Sequence, residues 1–166
     1  VYITGEFSSE VDFDPGQGAH EIVAESTQYY VVKLDPNGEF VWVLRAAGET
    51  TWAFGRDLPV DGEGNVITTG SPAGTLHFTG TVDVPAEDLD PTRNIFLHKI
   101  SPSGDTLWLR VLEGNNDDRG TRVAVDNSGN IIAVAEFDGT LDCDPGAGSL
   151  TFTSLRVNDR AVLKLD

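Results

Sequence analysis

Val60-Asp61-Gly62-Glu63-Gly64-Asn65 returns as Val125-Asp126-Asn127-Ser128-Gly129-Asn130, 65 residues further on. The residues after each copy match too: Val66-Ile67-Thr68-Thr69-Gly70 lies against Ile131-Ile132-Ala133-Val134-Ala135, and Val1-Tyr2-Ile3-Thr4-Gly5 is the same segment one period upstream. Lys33-Leu34, Lys99-Ile100 and Lys164-Leu165 keep the same spacing within a residue. Trp42 and Trp108 each come after a turn, Asp35-Pro36-Asn37-Gly38 or Ser101-Pro102-Ser103-Gly104. Val11-Asp12-Phe13-Asp14-Pro15-Gly16 recurs as Leu141-Asp142-Cys143-Asp144-Pro145-Gly146, two periods later. A fixed period of this kind marks tandem supersecondary units. The chain holds about two and a half of them.

Inside a unit the pattern alternates every second residue. Tyr30, Val32 and Leu34 fall on one face, Val31 and Lys33 on the other, and no segment carries a helical stripe. The Asn-Gly, Glu-Gly-Asn and Ser-Gly-Asn turns supply residues that tolerate positive φ, as tight hairpins require. The class is all-β. Each unit reads as four antiparallel strands: A (the Arg122–Asp126 type), B (Ile131–Phe137), C (Tyr29–Asp35) and D (Phe40–Arg45), with an extra β segment, Glu21–Glu25 or Leu150–Thr153, between B and C. Successive four-stranded units describe the blades of a β-propeller, with a stacked solenoid as the competing architecture. Residues 1–54 then form a partial blade (B, C, D), 55–112 a complete one and 113–166 a partial one (A, B, C). Val123–Val125 is expected to be an inner strand, and Trp42 and Trp108 to be equivalent buried residues packing between blades. A ring needs about four to eight blades, so the expectation is a piece of a larger ring, or one assembled from identical copies.

Acidic residues number 27 against 11 basic ones, for a net charge of −16. Such a surface repels a phosphate backbone and argues against nucleic-acid partners. No apolar run reaches the ~18 residues of a membrane helix. One cysteine, Cys143, excludes an intrachain disulfide framework and a cysteine-rich zinc site; it aligns with Phe13, as a buried thiol would.

Asp12 with Asp14, and Asp142 with Asp144, are candidate calcium ligands, because paired carboxylates on a Pro-Gly turn can converge on a hard cation. The same residues can instead shape the turn by accepting backbone N–H bonds. The middle repeat has Gly74-Thr75-Leu76-His77-Phe78-Thr79 at that place. Asp35, Asp61, Asp126 and Asp166 read as turn or strand-end residues. Asp117-Asp118 and Glu87-Asp88-Leu89-Asp90 read as solvated loops. His20, His77 and His98 occupy unlike positions in the repeats, and no spacing matches a zinc site or a nucleophilic-serine motif, so no catalytic residue is assigned. Trp52, in the D-to-A connection, is a candidate ligand-stacking residue.

The strand ending Tyr-Val-Val-Lys-Leu-Asp-Pro-Asn-Gly, the tryptophan strand, and Val-Asp-x-x-Gly-Asn before an aliphatic strand ending in Gly resemble the bacterial propeller repeats called SBBP. The Asp-Phe-Asp-Pro-Gly insert is similar to a subset found in long secreted and surface proteins. The resemblance implies an extracellular or cell-surface location and a non-catalytic scaffold for adhesion, matrix or structural assembly. Its partners would be proteins, glycans or further repeats of the same protein. A glycan- or peptide-binding propeller is the second reading, and a propeller domain of a secreted hydrolase or lyase the third, since fold alone does not imply function.

Overall fold

A computed structural model describes residues 1–47, 52–73, 77–79 and 94–165. Every regular element among these residues is a β-strand: β1 (Tyr2–Asp12), β2 (Glu21–Leu34), β3 (Phe40–Ala47), β4 (Trp52–Asp57), β5 (Val66–Ala73), β6 (His77–Thr79), β7 (Ile95–Ile100), β8 (Thr106–Leu112), β9 (Arg119–Val125), β10 (Ile131–Phe137), β11 (Thr140–Asp142), β12 (Thr151–Thr153) and β13 (Asp159–Leu165). They pair into four-stranded sheets β1-β2-β3-β6 and β4-β5-β7-β8, a three-stranded sheet β13-β10-β9 and the small pair β11-β12. All pairings are antiparallel. No helix of the described residues is long and apolar enough to cross a membrane.

The hairpin turns are built alike. Asp35, Asp61 and Asp126 each place Oδ1 under two backbone N–H groups, two and four residues ahead, at 2.7–2.9 Å. The glycine that closes each turn has φ of +89° at Gly38, +86° at Gly64 and +85° at Gly129, a region that side-chain-bearing residues rarely enter. Beyond the turns the registers repeat. Lys33 faces Trp42 and Lys99 faces Trp108, each just before an irregularity in the pairing.

The sheets stack face to face in chain order. Tyr29, Val31, Leu44 and Ala46 of the first interdigitate with Val66, Phe96 and Ile100 of the second. Ile67 and Leu97, on the opposite face of the second sheet, pack on Val123, Ile131 and Ala133 of the third. Beside them Ile95 and Leu112 meet Ala135, Phe137, Leu141 and Cys143. The middle sheet is thus covered on both faces, which is why β7 opens with three successive buried apolar residues, Ile95-Phe96-Leu97, rather than an alternating pattern.

Small residues let the sheets approach. A Cβ on Gly55 of β4 would collide with Tyr29 and Thr4 of the first sheet, and a Cβ on Gly120 of β9 would collide with Thr69 of the second. Gly55 and Gly120 are 65 residues apart, as are Thr4 and Thr69. The two threonines make equivalent bonds, donating Oγ1–H to the carbonyls of Tyr30 (2.9 Å) and Phe96 (2.8 Å). One interface has been built twice. β9 packs on β4 and β5, and Asp57 Oδ2, at the end of β4, accepts the Val123 N–H at 3.1 Å.

Three expectations need correction. Trp42 and Trp108 are equivalent but half-buried, not buried. Trp42 lies at the rim between sheets, where its Nε1–H reaches the Pro102 carbonyl (3.2 Å) on the next repeat's turn. Glu21–Glu25 is no separate segment but the start of the 14-residue β2, which β1 tracks past an irregularity between Phe7 and Ser9. Trp52 does not lie in a connection: it opens β4. Within the insert of the middle repeat, β6 adds to the outer edge of β3 in the preceding sheet.

Candidate functional sites

The two Asp-x-Asp-Pro-Gly turns are superimposable in their bonding. Asp12 Oδ1 accepts the N–H groups of Asp14 (2.9 Å) and His20 (2.8 Å), and Asp142 Oδ1 those of Asp144 (3.0 Å) and Leu150 (2.8 Å). Asp14 Oδ1 then caps Gly16 N–H, and Asp144 Oδ1 caps Gly146 N–H, both at 2.8 Å. The Asp14 and Asp144 side chains also lie against Gly18 and Gly148, where any Cβ would collide with Oδ2. These backbone donors, from His20 and Leu150 first, hold the carboxyls of Asp12 and Asp142 below the usual carboxylate range. Each aspartate pair therefore closes a loop between two strands, and between them Phe13 or Cys143 points into the core. Phe13 packs edge-on to Phe7 and Tyr30 at 5.2 and 4.9 Å. Burial, then Asp142 and Asp118, push the Cys143 thiol up, keeping it protonated.

Among the described residues no group of three or more His, Cys, Asp and Glu side chains is disposed to hold a metal ion. The bonding supports the turn-shaping role and gives it a distinct signature. Asp142→Asn keeps an oxygen acceptor and should leave the thermal midpoint nearly unchanged, whereas Asp142→Ala strands two N–H groups and should lower it. A chelator should leave the thermal midpoint of the wild-type chain unmoved. A midpoint that falls with chelator would show a cation bound to the folded state.

His20 and His98 lie in separate surroundings. His20 stacks on Phe40 with ring centroids 4.5 Å apart. His98 is fully buried, 4.2 Å from the Phe78 ring, with Nε2 paired to Thr106 Oγ1 at 2.9 Å and Nδ1 without a partner. Burial pulls its pKa down to about 3, so the ring is neutral. The side chains of His77 and Trp52 lie outside the described residues, as do Gly74–Leu76, Glu87–Asp90 and Asp166.

Asp118 departs most from the sequence reading. Expected in a solvated loop, it is fully buried. Its Oδ1 accepts the Asp138 N–H at 3.1 Å, while Oδ2 has no hydrogen-bond partner. Gly114 lies so close that a Cβ there would collide with Oδ2. Burial first, with Asp117 and Asp138 adding like charge against the Asp138 N–H bond, pushes its pKa up to about 6. The carboxyl pins the turn after β10 to the connection between β8 and β9. The run Glu113-Gly114-Asn115-Asn116-Asp117-Asp118 carries no repeat signal for this role, since no equivalent of it recurs elsewhere in the chain.

A polar groove of about 440 Å³ runs between the turns Val60–Glu63 and Val125–Gly129. Lys99 Nζ bonds Asp61 Oδ2 at its floor, at 2.9 Å. Burial raises the Asp61 pKa, but donors from Asn65 and Lys99 outweigh it and hold the group at about 2. The Asn65-type side chain at Asn130 does the same first for Asp126, also at about 2. These acids are committed to their turns. The groove is a surface between repeats.

No protein-family model matches the chain. Over 121 residues it is 26% identical to an uncharacterized WD repeat-containing protein of Acanthamoeba polyphaga mimivirus, a match that covers 70% of this chain. The chain spans about 9% of the length of that protein.

Proposed function

We propose that the chain is part of a propeller-type, non-catalytic scaffold that binds protein partners outside the cytoplasm, in adhesion, matrix or structural assembly. The observation that carries this is the twice-built interface. Gly55 against Thr4 and Gly120 against Thr69 make each sheet a standard part that stacks on its neighbour, and radial succession of such sheets is the propeller plan. The WD-repeat name of the viral relative is in keeping with that plan and with protein partners. The acidic surface and the SBBP-like repeats favour a location outside the cell. Bound partners would meet the turn rim, where Glu63, Asn127 and Gly129 line the groove between repeats.

Photo-cross-linking from position 127, in the organism that makes the protein, tests the reading. The expected result is cross-links to one discrete protein and a flat glycan array. Saturable binding to a defined glycan would favour the second reading, and turnover of a glycoside or ester by the purified protein would overturn both.

A further inference from the structure

We propose that the junction between the first two sheets encloses a binding site for one water molecule, held jointly by Tyr29 Oη, Thr68 Oγ1 and His98 Nδ1.

These side chains come from three strands, β2, β5 and β7, and each residue is 0% exposed. Thr68 and His98 are direct cross-strand partners, so their side chains leave the second sheet on the same face. That face meets the first sheet, because Val66, Phe96 and Ile100, two residues either way along the same strands, pack there against Tyr29, Val31 and Leu44. From the first sheet the Tyr29 hydroxyl comes up to the Thr68 hydroxyl. Thr68 is thus the neighbour shared by the phenol and the imidazole.

Tyr29 Oη, Thr68 Oγ1 and His98 Nδ1 are buried and have no hydrogen-bond partner among the described residues. The polar groups beside them are committed elsewhere. Thr4 Oγ1 donates to the Tyr30 carbonyl, and Thr106 Oγ1 pairs with His98 Nε2. Phe78 and Phe96, with ring centroids 6.2 and 5.1 Å from that of Tyr29, supply apolar walls. Buried polar atoms left unpaired weigh heavily against folding. Water both donates and accepts, so it satisfies two hydroxyls and a neutral imidazole nitrogen in either tautomer. Internal waters typically make about three such bonds.

The repeat supplies an internal control. At the junction between the second and third sheets the equivalent positions are Ile95, Ala133 and Leu163, 66 residues on from Tyr29 and 65 on from Thr68 and His98. Ala133 and Leu163 are again direct cross-strand partners, and Ile95 packs with Leu163. All three positions are polar at one junction and apolar at the other. A shared ligand explains that joint exchange, because each polar group would be stranded without the others' common partner.

A high-resolution crystal structure of the chain tests the site. The expected result is density for a single oxygen within about 2.7–3.2 Å of all three atoms. Tyr29→Phe, Thr68→Val and His98→Leu, made singly, should each lower the thermal midpoint by about 3 °C or more. The triple variant, which copies the apolar character of the second junction, should lose clearly less than the sum of the three. The density is read on the parent chain, so a variant that fails to fold leaves the test intact. A Tyr29 hydroxyl bonded directly to Thr68 with no density between the three groups, or single losses that add up in the triple variant, would overturn the proposal.

Discussion

Gly70→Ala is expected to destabilise the chain by on the order of 3 kcal/mol or more. A Cβ at this position would collide with the backbone carbonyl oxygen of Phe54 and crowd the Phe96 ring, and a carbonyl within a paired strand cannot swing aside as a side-chain tip can. Gly70 also lies against Gly120, so movement of β4 to relieve the clash would open the interface with the third sheet. Gly62→Ala is the matched control, since nothing lies within 4 Å of its Cβ position. That variant should be neutral, or stabilised by up to about 1 kcal/mol through a less flexible unfolded chain. Urea unfolding of the two variants beside the parent checks the pair, and equal midpoints would show that the close approach does not exist.

The second large effect is in the pH profile, where two buried groups oppose each other. His98 has its folded pKa pulled from 6.5 to about 3. The unfolded chain therefore takes up a proton that the folded chain refuses, and stability present above pH 6.5 is lost as pH falls towards 3. Asp118 runs the other way. Its folded pKa is raised from 3.8 to about 6, so its contribution is fully present below pH 3.8 and lost as pH rises through 6. The Asp118 span corresponds to roughly 2–3 kcal/mol, and the two slopes partly cancel between pH 4 and 6. Asp61 and Asp126, with folded values of about 2, add their own loss only below the ordinary carboxylate range. Asp118→Asn should therefore steepen the acid loss of stability, and His98→Gln should reverse the slope over the same window. Unfolding free energies measured every half pH unit would show this. Parallel profiles for the parent and Asp118→Asn would mean that Asp118 is solvated.

Much of the architecture is legible in the sequence because the repeat is carried by residues with strict backbone demands. Asp61 and Gly64, with their copies Asp126 and Gly129, name a turn, and a turn at a fixed period names hairpins. Gly55 and Gly120 carry the same period, yet they sit among unlike neighbours, Phe54 and Arg56 against Arg119 and Thr121, so their shared role shows only when the sheets are stacked. Asp118 escapes a sequence reading for a related reason. A carboxylate's burial is decided by what a segment distant in sequence lays over it, here Asp138–Thr140, and local composition does not report that. β6 pairs across repeats, and the sequence of its insert lacks the aspartate turn that joins β11 and β12 in the last repeat. The Asp-x-Asp turns leave two chemistries open at the level of sequence, and the bonding of Asp12 and Asp142 to the backbone supplies the physical content of one of them.

Successive repeats stack as like parts through equivalent faces, and nuclear Overhauser contacts from the two tryptophan indoles test this most directly, because each indole sits at one junction. Trp42 should show contacts to Tyr2 and to Pro102 and Gly104 of the second repeat's turn. Trp108 should show them to the methyl groups of the cluster that joins the second and third sheets, Ile67, Val123 and Ile131 among them. Indoles that contact only their own hairpins, with no cross-repeat signal at either junction, would contradict the stacking.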